Sequence, residues 1–167
     1  GASHNGVWDM AIASIVPGIR IAAPRDPERL REEFREAIAV DNGPTVVRFP
    51  KGSVAEDIPA VERLAGGVDV LYRPDPGDAG DDRLEVLLLA VGAFADFALQ
   101  AAREVAPEGI GVTVIDPRWV IPVSPAVIEL AAAADMVAVY EDGVVRGGIG
   151  AAVAEALSVA GVDVPVR

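Results

Sequence analysis

Two periods of apolar residues alternate along this chain, and each period predicts a different element. Residues 19–23 form a short continuous apolar run that ends at Pro24, which reads as a buried strand. Asp26 then offers a side-chain N-cap, and Pro27 suits a first helical position because its missing N–H costs nothing there. Leu30, Phe34, Ala37 and Ile38 recur at helical spacing and predict one buried stripe, with Arg29, Glu32, Glu33 and Glu36 turned to water. Gly43-Pro44 closes that unit, and 45–49 reads as the next strand. The order β-α-β implies parallel strands with a right-handed crossover. Arg48, Lys51 and the turn before Asp26 then fall at or near strand carboxyl ends, where α/β proteins hold ligands.

The pattern weakens over 53–67, a predicted connection, and resumes at 68–72 as a possible first strand of a second sheet. Residues 73–83 carry two prolines, two glycines and four aspartates and read as an exposed loop. Strands over 85–91, 111–115 and 136–140 then alternate with helices over 93–105, 125–134 and 150–159. That alternation argues a doubly wound, mostly parallel sheet. The expected units are therefore 1–52, a linker at 53–67, and 68–167.

Composition narrows the function classes. Half the residues are apolar (51%) but only 5% are aromatic, so the core must be built of Val, Ala, Leu and Ile. Fourteen basic against 26 acidic residues give a net charge of −12, which opposes binding to nucleic acid or anionic membranes. The chain has no cysteine and one histidine, which removes disulfides and thiolate chemistry and disfavours a zinc site. The run 86–95 is about half the length that spans a bilayer. A cytoplasmic protein is expected.

The single histidine, His4, stands in Ser3-His4-Asn5-Gly6-Val7-Trp8-Asp9, small and polar surroundings suited either to proton transfer or to local hydrogen bonding. With Ile15-Val16-Pro17-Gly18 this run resembles the substrate loop of the 1-deoxy-D-xylulose-5-phosphate synthase family, thiamine-diphosphate enzymes of the transketolase superfamily. The resemblance continues in order through Ala23-Pro24-Arg25-Asp26, Asp41-Asn42-Gly43-Pro44-Thr45, Arg48-Phe49-Pro50-Lys51-Gly52, Val91-Gly92, Asp116-Pro117-Arg118-Trp119-Val120, and Glu141-Asp142 before Gly147-Gly148-Ile149-Gly150. It implies the end of a pyrimidine-binding α/β domain followed by a truncated transketolase C-terminal domain. It also implies a homodimer that joins pyruvate to D-glyceraldehyde 3-phosphate with loss of carbon dioxide, using thiamine diphosphate and Mg2+. On that basis the cofactor-binding determinants lie N-terminal to this chain, which is expected to be an inactive fragment holding neither cofactor nor metal by itself.

In the same resemblance His4 matches the histidine that hydrogen-bonds the reacting oxygens. Lys51 stands where the family often places a phosphate-binding arginine, and Arg48 is the competing substrate-binding candidate. Asp9 fits a cap of a short helix better than a catalytic acid. The Gly147–Gly150 run fits a tight strand-to-helix turn better than a phosphate cradle, since it lacks the P-loop Lys-Ser/Thr. Glu141-Asp142 reads as a solvated acidic pair, and the aspartates at 75, 78, 81 and 82 lack the spacing of a calcium loop. Two other readings stay open: part of a transketolase or of a 2-oxoacid dehydrogenase β-subunit, and a non-catalytic α/β dimerisation module.

Overall fold

The computed structural model describes residues 6–52, 56–75 and 83–167. His4 and the aspartates at 78, 81 and 82 lie outside the described residues. A short helix α1 (Asp9–Ala13) leads into strand β1 (Arg20–Ala22), helix α2 (Pro27–Ala39) and strand β2 (Thr45–Val47). β1 and β2 are parallel, as a β-α-β unit requires. Asp26 caps α2 by accepting a hydrogen bond from the Arg29 amide at 2.7 Å, with Pro27 at the first turn. Asp9 sits in the first turn of α1, with Trp8 at the cap position.

The chain continues through β3 (Glu62–Arg63), β4 (Asp69–Tyr72), β5 (Leu84–Ala90), α3 (Ala95–Val105), β6 (Ile110–Asp116), β7 (Trp119–Ile121), α4 (Pro125–Ala131), β8 (Met136–Tyr140) and α5 (Ile149–Ala160). Five of these strands form one sheet in the order β3-β4-β6-β5-β8. The β6-β5-β8 half is parallel, while β3 and β4 add an antiparallel flank. Side chains alternate strictly along β5. Val86 and Ala90 join a cluster under α3, and Leu87 and Leu89 join the opposite cluster with α4 and α5. Helices thus cover both faces, as a doubly wound sheet demands.

β7 leaves the larger sheet and pairs antiparallel with β1, giving the three-stranded order β2-β1-β7. Ile21, Ala23 and Val120 accordingly share a core with Leu87, Leu89, Ile115 and the buried faces of α4 and α5. Gly92, just after β5, has φ +61 and lies against the carbonyls of Ala23 and Pro24. A glycine is needed for that backbone angle, and the carboxyl ends of β1 and β5 meet there.

Helix α2 departs from the pattern expected of it. Ala37 is buried, but Phe34 is 54% and Ile38 70% exposed, whereas Glu33 is completely buried. The helix docks by its charged flank because arginines and aspartates from distant segments converge on it.

Candidate functional site

A cleft of about 400 Å³ opens at the carboxyl ends of β1, β2 and β5. Pro24, Arg25, Asp26 and Pro27 form one wall, Phe49, Pro50 and Lys51 the other, and Ala93 and Leu30 also line it. This is where an α/β fold places a ligand. Lys51 is exposed and makes no hydrogen bond or ion pair with a described residue.

Arg48 does not line this cleft. Its Nε donates to Asp9 Oδ2 at 2.8 Å, and one Nη donates to the Asp142 carbonyl at 2.9 Å. The side chain therefore ties α1 and β2 to the turn after β8. Lys51 and Arg48, close in sequence, serve different neighbourhoods.

The wall containing Arg25 is fixed by a buried ionic network. Arg25 donates from Nη1 to Asp69 Oδ2 (2.7 Å) and Asp116 Oδ2 (2.6 Å), and from Nε and Nη2 to the Ile58 carbonyl (3.0 and 2.8 Å). Arg63 adds hydrogen bonds to Asp69 (2.6 Å) and Glu32. Arg118 donates from Nη2 to Glu36 (2.6 Å) and from Nη1 to the Gly67 carbonyl (3.2 Å), while the Trp119 indole donates to the other Glu36 oxygen at 2.7 Å. Arg118 holds φ +57, so its backbone amide also reaches Asp116 Oδ1. These contacts clamp α2 and the Pro24–Pro27 turn onto β4, β6 and β7.

The network sets opposite protonation tendencies. Burial pushes Asp69 up, but the hydrogen bonds from Arg63 and Arg25 outweigh it and hold the carboxyl below its ordinary value. Burial raises Asp116 to about 6 despite Arg25. Burial and the neighbouring Asp116 drive Glu33 to about 9. Arg63 and Asp69 are six residues apart across the β3–β4 pair, but the other side-chain arginine–carboxylate contacts join partners 31 to 91 residues apart and follow no local spacing rule, so they were not legible beforehand.

The other sequence candidates fall as follows. Glu141 is half-buried and caps α5, accepting hydrogen bonds from the Ile149 amide (3.0 Å) and the Gly150 amide (2.8 Å). It corrects the expected solvated pair, and its carboxylate already fills the anion position that the Gly147–Gly150 turn would offer. Phe94 stacks on Tyr140 at 4.6 Å beside the carboxyl ends of β5 and β8, an aromatic pair that no periodic signal marked.

Among the described residues, no three His, Cys, Asp or Glu side chains gather as a cation site. Asp69 and Asp116 are already committed to arginine. These residues do not fit the metal–diphosphate end of a thiamine cofactor.

The fold is that of a doubly wound α/β protein with a candidate ligand cleft where two sheets meet at their strand carboxyl ends. Family models match twice: "Transketolase, pyrimidine binding domain" over residues 1–56 and "Transketolase, C-terminal domain" over residues 80–167. The chain belongs to the transketolase family. It is 58% identical over 170 residues to the 1-deoxy-D-xylulose-5-phosphate synthase of Mycobacterium avium, covering 100% of this chain and 26% of that protein. It is 57% identical over 167 residues to the synthase of Saccharopolyspora erythraea, again covering 100% of this chain and 25% of that protein. The chain thus spans about a quarter of the length of the curated relatives it matches. Among solved structures, a chain described as "Split gene transketolase, inactive beta4 tetramer" matches with a TM-score of 0.79 and 26% identity, over 99% of this chain and 52% of that one.

Proposed function

We propose that this chain is the acceptor-substrate part of a 1-deoxy-D-xylulose-5-phosphate synthase, in which pyruvate and D-glyceraldehyde 3-phosphate give 1-deoxy-D-xylulose 5-phosphate and carbon dioxide. The observation that carries this reading is Lys51, exposed on the rim of a cleft at the strand carboxyl ends. In a chain of net charge −12, a phosphate dianion needs such a local cation to approach at all. Identity of 57–58% to named synthases over the whole chain supports the reaction class.

Lys51 holds the aldehyde's phosphate, and His4 donates a hydrogen bond to the oxygen that gains charge when the new carbon–carbon bond forms. Arg48 acts one step back, steadying the β2 end through Asp9. Thiamine diphosphate and Mg2+ are held by residues outside this chain. The working enzyme is a cytoplasmic homodimer. The chain divides into the end of a pyrimidine-binding domain (1–52), a connection (53–67) and a transketolase C-terminal domain (68–167).

The test is kinetic and is made in the whole enzyme. Lys51→Ala should raise KM for glyceraldehyde 3-phosphate roughly ten- to a hundredfold, the worth of one charged hydrogen bond, while leaving KM for pyruvate nearly unchanged. His4→Ala should instead lower kcat. If Lys51→Ala shifts both KM values equally, or neither, the phosphate is held elsewhere.

A further inference from the structure

Among the described residues, Glu33 is a buried carboxyl that the cleft and its clamp leave without a hydrogen bond. It lies in the middle of α2 with 0% exposure, and neither carboxylate oxygen has a hydrogen-bond partner. The nearest cation, Arg118, has its Nε 3.7 Å from Glu33 Oε1, and that Nε is itself without a hydrogen bond. The Arg118 guanidinium is spent instead on Glu36 and the Gly67 carbonyl.

The charges that act on Glu33 are those of Asp116, Arg118, Glu36 and Arg25, and all four belong to one ionic network. In that network Arg29, Glu28, Glu32 and Glu36 come from α2, Arg25 and Asp26 from the turn before it, and Arg63 and Asp69 from β3 and β4. Asp116 ends β6, and Arg118 follows it. That is four arginines against six carboxylates before Glu33 is counted. A seventh negative charge would be buried without a donor beside Asp116, an arrangement that costs several kilocalories unless the group stays neutral.

We propose that Glu33 is a protonation-sensitive latch between α2 and the Asp116–Trp119 turn, which leaves the cleft wall fastened by its arginines when neutral and loosens it when ionised. Ionised Glu33 repels Asp116 and competes for Arg118 and Arg25, the residues that fasten Glu36 and the Pro24–Pro27 turn. The direction of titration agrees, since burial drives the carboxyl from an ordinary 4.5 to about 9. A folded-state value raised in this way gives stability that is complete below 4.5 and is lost as pH rises towards about 9. The latch is independent of which substrate enters the cleft.

The experiment compares the 167-residue chain with its Glu33→Gln variant across that pH window, by urea unfolding and by Trp119 fluorescence in a Trp8→Phe background. Gln keeps the shape and cannot ionise. For each pH unit within the window, the unfolding ratio of wild type over Glu33→Gln should climb by up to about tenfold. Asp116, raised to about 6, titrates in both proteins, so the Trp119 emission should differ between them at higher pH, where a further shift should appear only in the chain that retains Glu33. Parallel pH profiles for the two proteins would overturn the latch. A wild-type sample with 13C-labelled glutamate carboxyls decides the matter if the variant does not fold. One carboxyl still protonated near neutral pH supports the proposal, and ordinary titration of every glutamate defeats it.

Discussion

Replacing Arg25 by Met should be the most damaging single change to this fold. Met nearly conserves volume, so the effect isolates charge and hydrogen bonding rather than a cavity. The substitution removes two charged hydrogen bonds, at 2.7 and 2.6 Å, from Asp69 and Asp116, which are both fully buried, and two more from the Ile58 carbonyl. Breaking a buried pair from one side costs about 3–5 kcal/mol, because the partner charge stays behind. Against a total stability of roughly 5–15 kcal/mol, that is a large share. With a urea slope of about 2 kcal/mol per molar, the unfolding midpoint should fall by about 2 M. The loss should also depend on pH. Without Arg25, Asp116 is driven further above its ordinary value while Asp69 keeps its hydrogen bonds from Arg63, so protonation of Asp116 relieves the defect in acid and the deficit grows as pH rises. Adding Asp116→Asn to Arg25→Met should restore part of the loss, whereas Asp69 must stay because it also holds Arg63. A deficit below about 1 kcal/mol, or one that shrinks as pH rises, would refute the clamp.

Glu141→Ala should lower stability by roughly 1–2 kcal/mol in urea unfolding, because it removes the acceptor for two amides at the α5 N-terminus and a favourable charge at its dipole. Arg48→Ala should cost less than about 1 kcal/mol in the same assay, since its pair with Asp9 is partly exposed to solvent.

Most strands and helices were legible because each carries its own local signal, but β3, two residues long, falls inside the stretch 53–67 expected as a connection. Asp26-Pro27 announces the start of α2, and the apolar run 136–140 coincides with β8. The facing of α2 was not legible. Periodicity finds an apolar stripe but assumes that this stripe meets the chain's own core, and here Phe34 and Ile38 do not. The flank that docks is charged, and its partners Arg63 and Arg118 arrive from segments 31 and more than 80 residues away. β7 escaped for a related reason. Three residues are too short for a periodic signal, and their pairing with β1 spans about a hundred residues of chain. In the cleft, the sequence marked Lys51 through a motif and strand position, but the wall opposite it is set by tertiary charge pairing.

The arginines also bear on the proposed role of Lys51 in the cleft. Arg25 is spent on Asp69, Asp116 and Ile58, and Arg48 on Asp9 and Asp142, so neither guanidinium is free to turn towards an anion. Lys51 is the one lining cation, among the described residues, without an internal partner. A lysine gives a point charge on a flexible stem, with none of the planar fork by which arginine fixes a phosphate. Orientation must then come from the walls. Pro24, Pro27 and Pro50 supply rigid backbone there, Phe49 supplies a flat apolar surface, and the buried clamp fastens the Pro24–Pro27 turn to β4 and β6. On the proposed reading the charge attracts the anion, and the clamped rim decides how it sits.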